Sequence, residues 1–141
     1  MAEVPFHYID LRAFCYATED DKRVEQALRT YLPEEFEVER ATSEGHHGDR
    51  ILVLSARIET ADEMRHVLSN VAELDATDDL LAELDERVDD NCSLFLRLDK
   101  QSAYRGEVAL GEGITFRAKV EAYPAKKEAA VENARGALEA L

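Results

Sequence analysis

Residues 92–98, CSLFLRL, alternate in character: Leu94, Leu96 and Leu98 share one phase, Phe95 and Arg97 the other. A period of two fits a half-buried β-strand and not a helix, because successive strand side chains point to opposite faces. Such a strand needs neighbours to complete its hydrogen bonds and a second layer to cover its apolar side. The rest of the chain must supply both.

Other segments supply the sheet. FHYIDLRAFCYA (6–17), FEVERA (36–41) and ILVLSARI (51–58) read as strands from their aromatic, β-branched and apolar content. SEGHHGDR (43–50) reads as a turn. EVALGEGITFRAKVEAY (107–123) reads as two strands of a hairpin turning at Gly111 to Gly113.

Between these lie helical periods. Thr18 is placed to cap TEDDKRVEQALRTYL, where Val24, Ala27, Leu28 and Tyr31 share a face and Pro33 stops the helix. Thr60 precedes a stripe of Met64, Val67, Leu68, Val71 and Leu74, and Thr77 one of Leu80, Leu81, Leu84 and Val88. Pro124 fits the first turn of a last helix with Ala130, Ala134, Leu138 and Leu141 inward.

The order strand, helix, two strands, two helices, three strands, helix predicts a two-layer α+β sandwich, its mixed, mostly antiparallel sheet covered by helices on one face. At 141 residues, with no repeat or linker, one domain spanning 1–141 is expected. Cys15 and Cys92 lie in apolar runs outside any C-x-x-C pair. With no leader-like N-terminus and no long apolar span, they suit a soluble protein of a reducing cytoplasm, away from membranes.

A sheet covered on one side exposes the other, and its chemistry can be read from strand phase. Tyr8, Asp10, Arg12, Phe14 and Tyr16 share a phase, as do Ser55 and Arg57, Phe95 and Arg97, and Arg117, Lys119 and Tyr123. Guanidinium groups pair with phosphate and exposed rings stack on unpaired bases, so this face suits RNA. The same rings also suit packing, and the same arginines suit pairing with acids such as Asp10 and Glu121.

Charge sharpens the choice. The net charge is -14, which on average repels a phosphate backbone. Twelve arginines against five lysines, with acids spread along the chain, resemble the halophilic balance of proteins from salt-accumulating cells. From Arg97 to Lys127, however, seven basic residues outnumber four acidic ones. Residues 59–90 carry twelve acids and two arginines. That acidic region is either a solvated helical surface or a docking face for a basic protein partner, the rival function.

Catalytic signatures are missing. His46, His47 and Asp49 sit in a glycine-flanked turn without the spacing of a metal site. Ser43 and Ser55 lack a G-x-S-x-G elbow, and no phosphate-binding G-x-x-x-x-G-K-[ST] loop occurs. A non-enzymatic protein without metal or cofactor is expected.

Four segments carry a resemblance: HYIDLRAFCYATED (7–20), EGHHGDRI (44–51), LFLRLDKQSAYRGEV (94–108) and VEAYPAKKEAA (120–130). Together they resemble an archaeal family of predicted RNA-binding proteins, proposed as exosome subunits. The resemblance implies a fold similar to the ribosomal protein that binds 5S RNA, and a role in RNA processing or degradation beside exosome or ribosomal components. It implies RNA contacts at Arg97, Lys100, Gln101, Tyr104, Tyr123, Lys126 and Lys127, to which the basic window adds Arg105, Arg117 and Lys119. Lysines and arginines would meet phosphate, Gln101 a base or sugar, and the tyrosines would stack. The competing reading of Asp99 to Gly106 is a capped turn or short helix, with Tyr104 anchored in the core and Gly106 in an unusual backbone conformation. Weak binding, or binding within a larger complex, is expected.

Overall fold

The first strand, β1 (Phe6–Cys15), is paired on both sides, so its two faces decide the rest of the architecture. Ile9, Leu11, Ala13 and Cys15 are buried on one face, while Asp10, Arg12 and Phe14 lie on the other. The computed structural model describes residues 4–44, 50–73 and 77–139. Within them β2 (Glu39–Glu44), β3 (Arg50–Ile58), β4 (Ser93–Asp99) and β5 (Gly113–Val120) complete a five-stranded sheet of order β2-β3-β1-β5-β4. Every ladder is antiparallel, so the expected parallel component is absent among the described residues.

All helices lie on the face that buries Leu11, Leu54, Leu96 and Phe116. Helix α1 (Asp21–Arg29) sends Val24, Ala27 and Leu28 inward, and α2 (Ala61–Val71) sends Met64, Val67, Leu68 and Val71. Thr60 caps α2 as expected. Asp20, not Thr18, caps α1, its carboxylate accepting the Lys22 amide at 2.9 Å, because the chain first turns through Tyr16 to Glu19. The helix expected after Thr77 is broken at Glu83 into α3 (Thr77–Ala82) and α4 (Leu84–Arg87). Leu80, Leu84 and Val88 are nevertheless buried. The last helix, α6 (Lys127–Glu139), buries Ala130, Val131, Ala134 and Leu138. It begins three residues after Pro124, which lies in the preceding turn. Leu74, Leu141 and the pair His46 and His47 with Asp49 lie outside the described residues.

Two strand assignments shift. The second strand begins at Glu39 rather than Phe36, because Phe36 and Val38 turn aside to pack on the core. The hairpin expected over 107–123 does not form. Only β5 is a strand, and the preceding segment makes a single bridge from Leu110 to Leu98.

The reason is a crossing. After β4 the chain forms the short helix α5 (Lys100–Tyr104), returns along the outer edge of β4, then passes over Asp99 to enter β5 on the inner side. The Asp99 amide donates to the Ala109 carbonyl at 2.9 Å, and the Gly111 amide to the Arg97 carbonyl at 3.0 Å. At Gly111 a Cβ would lie 2.6 Å from Asp99 Cβ and 3.0 Å from its Cα, so no larger residue fits without moving the backbone.

Glycines 111 and 136 should therefore respond oppositely to alanine. Gly111→Ala is expected to destabilise by about 1–3 kcal/mol through forced displacement of β4. Gly136→Ala, in an exposed helical position with open space around it, is expected to stabilise by about 0.5–1 kcal/mol. Thermal melts of both variants check the pair, and equal behaviour would contradict the crossing as described.

Candidate nucleic-acid interface

Pairing places the open-face residues in rows across the sheet. Arg57, Asp10, Arg117 and Phe95 are successive cross-strand neighbours on β3, β1, β5 and β4. The next row runs Glu39, Ser55, Arg12, Thr115, Arg97 from β2 to β4. Tyr8 stands opposite Lys119 below the first row. The phase reading from sequence is thus correct for these residues.

Some of these groups are already engaged. Arg57 grips Asp10 with two hydrogen bonds of 2.8 and 3.0 Å, and its guanidinium sits 4.1 Å from the centre of the Tyr8 ring. The Asp10 carboxylate holds the Arg57 guanidinium above its ordinary pKa, so it is charged at any physiological pH. Arg117 donates to the Tyr8 hydroxyl at 3.0 Å, and Lys119 to the Asn91 carbonyl. Among the described residues Arg12, Arg97 and Arg117 make no ion pair. Phe14 and Phe95 remain 37% and 39% exposed, large values for strand phenylalanines.

The remaining residues selected from sequence fall in two other places. Lys100, Gln101, Tyr104 and Arg105 lie at the β4 end, where α5 packs against α1. Asp99 caps α5, accepting the Ser102 hydroxyl at 2.5 Å and its amide at 3.2 Å. Those hydrogen bonds hold the Asp99 carboxyl below its ordinary pKa. Gly106 adopts φ 79°. A capped short helix is therefore what the motif builds.

Lys100 is turned inward, its side chain 12% exposed, with Nζ 2.7 Å from Glu19 and 3.1 Å from the Phe14 carbonyl. Tyr104 is half-buried against the core, with Arg23 5.3 Å from its ring centre. Gln101, Tyr104 and Arg105 line a groove of about 480 Å³ with Arg23 and Glu19. Gln101 and Arg105 are exposed there.

Tyr123, Lys126 and Lys127 lie past the opposite end of β5, and Tyr123 is wholly exposed. Eight residues of strand, roughly 26 Å, separate the two groups. The basic window is continuous in sequence but not in space. Conversely, Arg12, Phe14, Arg57 and Phe95 join the open face although selection by charge clustering passes over them. Their strand phase was the available signal.

No group of three or more His, Cys, Asp or Glu that could hold a metal occurs among the described residues. Nor is any described helix long and apolar enough to cross a membrane.

A one-sided α+β sheet whose bare face interleaves arginines with phenylalanines presents the two kinds of group, cations and exposed rings, that nucleic-acid-binding sheets use. A family model described as RNA binding matches residues 8–120, and the chain belongs to that family. The "RNA-binding protein PAB1135" of Pyrococcus abyssi is 41% identical over 144 residues, covering 94% of each chain. A solved DUF54 protein from Methanothermobacter thermautotrophicus is 40% identical with a TM-score of 0.81, over 94% of this chain and 98% of that one. Another, from Archaeoglobus fulgidus, is 31% identical with a TM-score of 0.85, over 94% and 99%. The archaeal family and α+β fold expected from the sequence motifs are thereby established.

The two regions should separate experimentally. Lys100→Met is expected to lower the melting temperature, because it strands the Glu19 carboxylate and leaves the Phe14 carbonyl without this donor. Arg97→Met, removing an exposed cation without an ion pair, is expected to leave the melting temperature within about 0.5 kcal/mol equivalent. Calorimetry on both variants decides; a large loss for Arg97→Met would mean that Arg97 is structural.

Proposed function

We propose that this protein binds RNA through the open face of its sheet. The carrying observation is the set Arg12, Arg97 and Arg117, which face solvent without carboxylate partners among the described residues, in a chain that has 31 acids. Guanidinium groups without carboxylate partners suit a phosphate supplied from elsewhere. The description of the family and the name of the Pyrococcus relative support this reading.

Arg97, Arg117 and Lys119 form its centre together with Arg12. Gln101 and Arg105 extend it around the β4 end, beside Lys100 and Tyr104, which shape that rim. Tyr123, Lys126 and Lys127 offer a further contact at the far end. With so few cations, binding is weak or shared with other components. An accessory role in RNA processing or degradation, beside exosome or ribosomal proteins, fits a surface of this kind.

The test is RNA affinity as a function of salt. Each phosphate contact contributes a slope of about -0.7 in log K against log salt for single strands. Arg97→Glu and Arg12→Glu are each expected to weaken binding and flatten that slope, while Lys126→Glu has a smaller effect. Unchanged affinity and slope in both arginine variants would remove the open face as the site.

A further inference from the structure

The open face is not uniform. Its β2–β3 side holds a recess of about 500 Å³ where β2 departs from β3, lined by Glu37, Glu39 and Glu59 as well as Asp10, Arg12 and Arg57. Those three glutamates make no ion pair among the described residues. A phosphate backbone is repelled there. The β1–β5–β4 side carries Arg12, Arg117, Arg97 and Lys119; Asp10 there is engaged by Arg57 and Asp99 by Ser102, and Glu86 borders Phe95 and Arg97 only at the outer β4 edge.

On that cationic side stand two exposed rings with no cation over them, Phe14 on β1 and Phe95 on β4. Phe95 has Arg117 as its cross-strand neighbour and Arg97 two residues along its own strand; Phe14 has Arg12 two residues away. From the register, the rings lie two strands apart and four residues out of step, roughly 16 Å. Thr115, small and exposed, lies between Arg12 and Arg97 on the diagonal that joins them. Two ring faces flanked by arginines across a low saddle form a path, not a point.

We propose, building on the RNA-binding reading above, that the ligand is single-stranded RNA laid diagonally across β4, β5 and β1. One base stacks on Phe95 and another, a few nucleotides along, on Phe14. Arg97, Arg117 and Arg12 hold the phosphates between them. The footprint is on the order of four nucleotides, at the small end for sheet-borne single-strand sites. A duplex cannot use this face in the same way: its base faces are stacked inside the A-form helix, leaving the rings in contact with sugars and phosphates. Stacking also explains the absence of Tyr8 from the path, since Arg57 already covers its ring.

Fluorescence anisotropy with the full chain tests this, using a ten-nucleotide unstructured RNA and a blunt duplex containing the same sequence. The single strand is expected to bind at least tenfold tighter than the duplex. In the double variant Phe14→Leu with Phe95→Leu, which keeps apolar bulk but removes both rings, single-strand affinity falls by about tenfold or more while duplex affinity and melting temperature hold. Equal binding of the two RNAs, or single-strand affinity indifferent to the rings, overturns the stacking path. If Arg12→Ala and Arg97→Ala still weaken both RNAs in that case, RNA binding by this face survives and only the single-strand assignment falls. If neither RNA binds the wild-type chain, both proposals fall.

Discussion

The structure depends on the two-sidedness of β1. Ile9, Leu11 and Ala13 are fully buried, and each intervening side chain belongs to the open face. A shift of one residue in its pairing with β3 or β5 would place Asp10 and Arg12 against Leu54 and Phe116, where unpaired charges cost several kcal/mol each. The apolar phase therefore fixes the register, and the register fixes which polar groups meet. That Arg57 reaches Asp10, and that Phe95 stands beside Arg117, are consequences of core packing on the opposite side of the sheet.

The short helix α5 joins the two layers at one end. Asp99 holds its first turn, Ala103 is buried beneath it, and the Thr30 hydroxyl donates to the Ala103 carbonyl at 2.6 Å. Lys100 reaches across to Glu19 and to the Phe14 carbonyl. The LDKQSAYRGE motif is thus chiefly a joint: it anchors the end of β1, and with it Phe14, to the end of β4. Its contribution to the open face is to hold these two strands in place, while Gln101, Arg105 and Glu107 extend outward.

The faces of the strands were legible in the sequence because period two requires no knowledge of partners. Leu94, Leu96 and Leu98 against Phe95 and Arg97 suffice to divide β4. The path between strands was not legible. Val108 and Leu110 resemble a strand because they are apolar at alternate positions, yet they are partly buried as a loop crossing the end of β4, a geometry that depends on the close approach of Gly111 to Asp99. Charge clustering along the chain likewise does not translate into a cluster in space. It joined Lys100 to Lys126, which lie at opposite ends of β5, and passed over Arg12, which stands alone in sequence but beside Thr115 and Arg97 in space. Cross-strand neighbours come from residues far apart in the chain, and local composition cannot register them.

The proposed RNA-binding face is compatible with a net charge of -14 once distance is considered. Glu86 of α4 borders Phe95 and Arg97 at the β4 edge, but the acids of α2 and α3 lie on the outer side of the helical layer; Asp62, for example, has a side chain 91% exposed. A helix diameter, about 10 Å, separates those acids from the open face. Screening lengths are about 8 Å at physiological ionic strength and about 3 Å at 1 M salt, so these charges contribute little to the potential above Arg12 and Arg97. The same screening limits what the arginines themselves attract, and it does so most severely at high salt. The stacking proposed for Phe14 and Phe95 releases no counterions, which makes the rings, more than the cations, the groups whose contribution would persist there.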